Sequence, residues 1–130
     1  MKIFIDSTFI ISLLNNDDHY HESAINIVSD DELLKTNNLF TSNLVINEIV
    51  SVIGAKLGLE AAINAYDLLN DNCTILNEYE IKNFNEKVMD VYRSTEAKLS
   101  FTDCSIMVVL KEFDIDSLVS FDKEFKQYIS

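Results

Sequence analysis

Short runs of β-forming apolar residues, separated by longer stretches with helical periodicity, constrain this chain more than any other feature. Lys2 to Ile5 is a short continuous run with no polar alternation, the pattern of a strand buried on both faces of a parallel sheet. Similar runs recur at Leu39 to Thr41, Cys73 to Leu76 and Ser117 to Phe121. Between and around them, apolar residues spaced three and four apart predict helices over Thr8 to Leu14, His21 to Leu34, Asn43 to Leu57, Leu59 to Leu69, Glu78 to Arg93 and Asp103 to Phe113. Strands alternating with helices make an α/β sandwich with a mostly parallel sheet. Glycine occurs only at 54 and 58 and proline is absent, so boundaries rest on periodicity and polar clusters. The polar stretch Arg93 to Ser100 reads as a loop that ends in an N-cap, Ser100.

A chain of 130 residues with 48% hydrophobic content has enough apolar surface for one core, so a single domain over 1–130 is expected. The opening MKIFIDSTFIISLL places a lysine before an apolar run, as a secretory leader does. Asp6 interrupts that run and no small-residue cleavage site follows. No apolar segment approaches the roughly 20 residues that span a bilayer, which predicts a protein without membrane association. Cys73 and Cys104 have no metal-ligand spacing and lie in apolar surroundings, where reduced cysteines act as small hydrophobes. A reducing cytoplasm is the expected compartment. The formal charge of -12 argues against a broad basic surface that coats nucleic acid.

Ligand sites in parallel sheets form at the carboxyl ends of the strands. Asp6 directly follows the first strand and Asp122 the last. Asp103 starts the helix that leads into the last strand, so it belongs at the same edge. Glu48 lies within about two turns of the start of the helix that leaves the second strand. That helix carries Leu44, Val45, Ile46, Ile49, Val50, Val52 and Ile53, and so extensively apolar a helix seldom carries an early carboxylate without a partner. Each acid also has a structural reading. Asp103 and Asp122 could cap helices, Asp6 could bind turn amides, and Glu48 could pair with Lys56. Taken together, carboxylates about 4 Å apart repel by roughly 4 kcal/mol per pair at an effective dielectric near 20, so protonation or a bound cation must intervene. Oxygen-only ligands favour Mg²⁺ or Mn²⁺, and such a metal suits phosphodiester hydrolysis.

The residues resemble a known family at this point. IFIDSTFIISLL is similar to the opening motif of PIN-domain ribonucleases, TSNLVINEIV to their second acidic motif, KLSFTDCSIM to the third and LVSFDKEF to the fourth, in the right order over almost the whole chain. The size resembles that of VapC-type toxins of type II toxin–antitoxin systems. The resemblance implies a three-layer α/β fold with a central sheet of four to five strands. It also implies that Asp6, Glu48, Asp103 and Asp122 coordinate one or two Mg²⁺ or Mn²⁺ ions and activate water to cleave RNA. Ser7 and Ser120 match hydroxyl positions that help arrange such a site. Toxin relatives usually form homodimers and are inhibited by a cognate antitoxin that occludes the site. Two departures stand out. Family members usually continue into another strand after the fourth motif, whereas only Lys126 to Ser130 follows Phe125 here, and basic residues near the acidic motifs reduce to Lys98, Arg93, Lys123 and Lys126.

Other features carry less. His19 and His21 form an HxH beside Asp17, Asp18 and Glu22, which reads as a polar loop entering a helix sooner than as a metal site. Tyr66, Phe84, Tyr92 and Phe113 fall at helical apolar spacings, which predicts core packing. A glycine-rich phosphate loop is missing, and a phosphotransfer reading of Asp6 lacks the second aspartate of a DxDxT pattern. The alternatives to a ribonuclease are a non-catalytic scaffold of the same fold or another metal-dependent phosphohydrolase.

Overall fold

The computed structural model describes residues 1–30, 35 and 38–129. β1 (Lys2–Ile5) leads into α1 (Ser7–Leu14) and α2 (His21–Asp30), then β2 (Asn38–Ser42), α3 (Asn43–Leu57), α4 (Leu59–Asn72) and β3 (Thr74–Leu76). A short 3-10 turn (Glu78–Glu80) precedes α5 (Phe84–Ser94), α6 (Phe101–Glu112), β4 (Ser117–Val119) and a terminal α7 (Lys123–Ile129). Among the described residues four strands form one parallel sheet in the order β3-β2-β1-β4, flanked by seven helices. The expected α/β architecture is therefore present, at the lower end of the expected strand number and with every pairing parallel. The last predicted turn of the second helix, residues 31 to 34, lies outside the described residues.

β1 sits in the interior of the sheet between β2 and β4, and Ile3, Phe4 and Ile5 are buried. This explains why its apolar residues are continuous: both faces of a central parallel strand meet helices. The core joins them to Phe9 and Ile10 of α1, Val45, Ile49 and Ile53 of α3, Ala65 and Leu69 of α4, Val88 of α5, Cys104, Ile106 and Val109 of α6, and Phe125 of α7. Phe125 is fully buried, so the helix Lys123–Ile129 is anchored to the core. Gly58 separates α3 from α4 with a φ of 98°, a conformation that residues with a side chain rarely adopt. Of the helical aromatics predicted to pack inward, Phe84 does, whereas Tyr66 is 46% exposed.

The predicted helix from Glu78 to Arg93 is divided. Asn77 caps the 3-10 turn by accepting from the Tyr79 amide at 3.2 Å. Asn83 then takes a left-handed conformation (φ 58°), which asparagine tolerates better than most residues, before α5 begins. Continuous helix would have moved Glu78 away from its partners on another element. Its two oxygens accept from the amides of Asn43 and Leu44, each at 3.0 Å, at the start of α3. Both cysteines are unpaired, Cys104 buried and Cys73 half-buried, and burial pushes the Cys73 thiol up to about 11. Among the described residues no helix is long and apolar enough to cross a membrane.

Candidate active site

All four strands point the same way, so their carboxyl ends share one edge. The order β3-β2-β1-β4 places the change of winding direction between β1 and β4, where a crevice opens in such sheets. The backbone ladder extends one step beyond the strands there, the Asp6 amide donating to the Val119 carbonyl at 3.2 Å.

Asp6 is 1% exposed and forms the N-cap of α1. Its Oδ1 accepts from Thr8 Oγ1 at 2.7 Å and from the Phe9 amide at 3.3 Å. Burial pushes its carboxyl above the ordinary 3.8, while hydrogen bonds from Ser120, Thr8 and the Phe9 and Thr8 backbone pull the other way. Thr8 also binds the end of β4: the Phe121 amide donates to its Oγ1 at 2.9 Å, and Ser120 Oγ lies 3.3 Å from it. Ser120 Oγ in turn accepts from the Asp122 amide at 3.1 Å. Hydroxyl groups thereby tie Asp6 and Asp122 into one network across two strand ends. Ser7 is buried at the first position of α1, and the hydroxyl that donates to Asp6 from this helix is that of Thr8.

Asp103 sits in the first turn of α6, where Ser100 Oγ accepts from its amide at 3.1 Å, so the predicted N-cap is formed. Its carboxyl is pushed up to about 6, first by burial, then by the charge of Asp122, with Asp6 and Glu48 adding smaller repulsions and a Ser100 hydrogen bond opposing. Asp122, Asp6 and Glu48 thus all lie within electrostatic reach of Asp103. Asp122 is half-buried and caps α7 through a bond from the Phe125 amide to its Oδ1 at 3.0 Å. Capping and membership of the cluster coexist at both Asp103 and Asp122. Glu48 is half-buried in the second turn of α3. Among the described residues no ion pair joins it to Lys56, whose charge acts on Asp18.

The donor chemistry of this edge, carboxylate oxygens on buried and half-buried side chains, fits a hard divalent cation. As the side chains stand, no three metal-ligating groups among the described residues are close enough together to hold one ion. The four acids thus meet electrostatically, and an ion would have to draw them into a coordination sphere. The HxH segment is structural: His21 Nδ1 bonds the Ser12 carbonyl at 2.9 Å, and Asp18 Oδ1 accepts from Ser12 Oγ at 2.8 Å and the Tyr20 amide at 2.9 Å.

Two contributors were missed in the sequence. Thr8 carried a signal, a hydroxyl two residues after an aspartate that caps a helix. Glu78 carried none, because its partners lie 34 and 35 residues away.

Parallel sheet order and a group of acids at the strand ends define an α/β protein with its candidate site at the topological switch point. Within that class the chain belongs to the PIN domain family, whose profile matches residues 3–129. The fold is similar to that of VapC20 from Mycobacterium tuberculosis, a sarcin-ricin loop cleaving toxin, with a TM-score of 0.82 at 23% identity over 97% of this chain and 94% of that one. VapBC2 from Rickettsia felis, in a structure bound to a DNA fragment from its promoter, matches with a TM-score of 0.71 at 13% identity over 98% and 92% of the two chains. PAE2754 from Pyrobaculum aerophilum matches at 0.63 and 20% identity over 96% and 82%. No curated protein sequence matches the chain significantly.

Proposed function

We propose that this PIN-domain protein is a metal-dependent endoribonuclease in which Asp6, Glu48, Asp103 and Asp122 hold Mg²⁺ or Mn²⁺. The observation that carries the reading is the gathering of Asp6, Glu48 and Asp122 around Asp103 at one edge of the sheet, close enough for their charges to act on its carboxyl. A cluster that resists ionisation when empty gains most from a divalent cation. When bound, the cation would lower the pKa of a water and stabilise charge on the attacked phosphate. Asp6, locked by Thr8 and Phe9, is the fixed member. Glu48 and Asp103, half-buried and less constrained, are the members free to move inward. Ser120 and Thr8 hold the ends of β1 and β4 in register around them, and Ser7 is assigned a supporting place beneath Asp6. RNA binding on a chain of charge -12 should be local and salt-sensitive.

The resemblance in fold to VapC20 and VapBC2 supports a narrower reading, the toxin of a type II toxin–antitoxin pair, acting in the cytoplasm as a homodimer and restrained by a cognate antitoxin. Incubation with structured RNAs and Mg²⁺ or Mn²⁺ tests the enzyme: cleavage that needs the metal and disappears in Asp6→Asn and Asp103→Asn is expected. Equal activity in all three would reveal a contaminating nuclease. Induced expression tests the toxin, since growth should slow for the parent and not for Asp6→Asn.

A non-catalytic scaffold is the second reading, favoured by the separation of the acidic side chains as they stand. Calorimetric titration with Mg²⁺ and Mn²⁺ separates the two, because a scaffold with a vestigial pocket would bind neither.

A further inference from the structure

Beside the acidic cluster lies a cavity of about 250 Å³ that the carboxylates do not use, lined by Thr8, Ile11, Ser12, Asp18, Tyr20 and Phe121. It is continuous with the site through two of its walls. Thr8 donates to Asp6, and Phe121 lies between Ser120 and Asp122 with its amide on Thr8. A second wall is aromatic: the rings of Tyr20 and Phe121 are stacked, 4.8 Å between centroids and 3° from parallel. Phe9 and His19 buttress them, at 5.9 Å from Phe121 and 4.8 Å from Tyr20. The third wall is polar. Both side-chain bonds that Asp18 makes among the described residues fall on Oδ1, leaving Oδ2 to accept from a donor brought by a ligand. Lys56 lies within electrostatic reach of Asp18 and offsets part of its charge beside a polyanion.

The faces that Tyr20 and Phe121 turn to each other are taken, so a base would extend their stack through its own π-face, whatever its identity, while a carboxylate acceptor selects bases with an amino group at the edge. The geometry points to this cavity as the subsite for a base flanking the scissile phosphate of single-stranded RNA, held against Tyr20 and Phe121, with Asp18 favouring bases that carry an exocyclic amine. This inference rests on the ribonuclease reading and adds a specificity element to it. It also gives the HxH segment a purpose, since His21 and Asp18 fix the loop that presents Tyr20.

The test uses the Asp103→Asn protein, which keeps RNA intact, and fluorescent single-stranded oligoadenylate, oligocytidylate and oligouridylate. Oligoadenylate and oligocytidylate should bind several-fold more tightly than oligouridylate. Adding Tyr20→Leu should weaken all three by about tenfold, within what base stacking on an aromatic contributes, and Tyr20→Phe should restore binding. Adding Asp18→Asn, which keeps an oxygen for Ser12 and Tyr20 and supplies a donor, should shift preference toward oligouridylate. Unchanged affinity in Tyr20→Leu, or a preference indifferent to Asp18→Asn, overturns the subsite. Should Tyr20→Leu melt early, the preference shift in Asp18→Asn decides alone. Metal-dependent cleavage by the parent with no change of KM in Tyr20→Leu would sink the subsite and leave the ribonuclease reading intact. Absence of any cleavage by the parent would sink the ribonuclease reading itself, and the subsite with it.

Discussion

Two carboxylates lie almost wholly out of solvent at the same edge of the sheet, Asp6 after β1 at 1% exposure and Glu78 after β3 at 0%. Glu78 has each oxygen on a backbone amide at the start of α3, where the helix dipole also favours negative charge. Asp6 accepts from Thr8 and from the Phe9 amide on the same oxygen, and its charge and that of Asp103 repel each other. The first is a closed electrostatic account and the second an open one. Burial alone therefore does not mark a functional acid; what distinguishes it is compensation that the fold leaves incomplete.

The sharpest way to break this comparison is at the closed site. Glu78→Ala removes two charge-assisted bonds and leaves the Asn43 and Leu44 amides at the start of α3 without their acceptor, so a loss of about 3 to 5 kcal/mol in urea unfolding is expected. A loss near zero would mean that water or Ser42 replaces the carboxylate and that the site is not closed. At the open site, the sign should reverse. Asp103 has its folded pKa raised from 3.8 to about 6, so the protonated form is the one folding favours. Its contribution is fully present below 3.8 and is lost as pH rises through about 6. Metal-free Asp103→Asn should accordingly melt above the parent at pH 7 to 8, with the gap closing below pH 4. A gap that stayed constant with pH would show that the effect is not electrostatic. Mg²⁺ or Mn²⁺ should raise the melting temperature of the parent more at pH 7.5 than at pH 5, and hardly at all in Asp103→Asn.

Smaller changes sharpen the contrast. Thr8→Val keeps the shape and removes the hydroxyl shared by Asp6 and the Phe121 amide, which should cost about 1 to 2 kcal/mol and lower nuclease activity without changing the metal required. Ser42 precedes α3 where a capping hydroxyl would normally act, yet its Oγ is buried and has no partner among the described residues. Glu78 already holds the α3 amides, so Ser42→Ala should change stability by less than about 0.5 kcal/mol or raise it slightly.

Much of this was legible along the chain because it depends on local periodicity. The continuous apolar run of β1 announces a central parallel strand, and a strand end followed at once by a helix places Asp6 and Asp122 at one edge. Ser100 was readable as an N-cap, since cap and helix are adjacent in sequence. The helix predicted from Glu78 to Arg93 failed for the opposite reason: its periodicity is sound, and a distant helix end captured Glu78 and broke the first turn. Tyr66 followed the helical spacing too, but spacing identifies a face and not what covers it.

The sequence by itself determined the alternation of strands and helices, the parallel sheet and the family, because each is written in short-range patterns of apolar and acidic residues. Only the tertiary structure decided which buried acid is a structural cap, that Thr8 holds the end of β4, and that Tyr20 stacks on Phe121. Those outcomes join residues from 34 to more than 100 positions apart, and hydrogen bonds and ring contacts act over a few ångströms of space, whatever the distance along the chain.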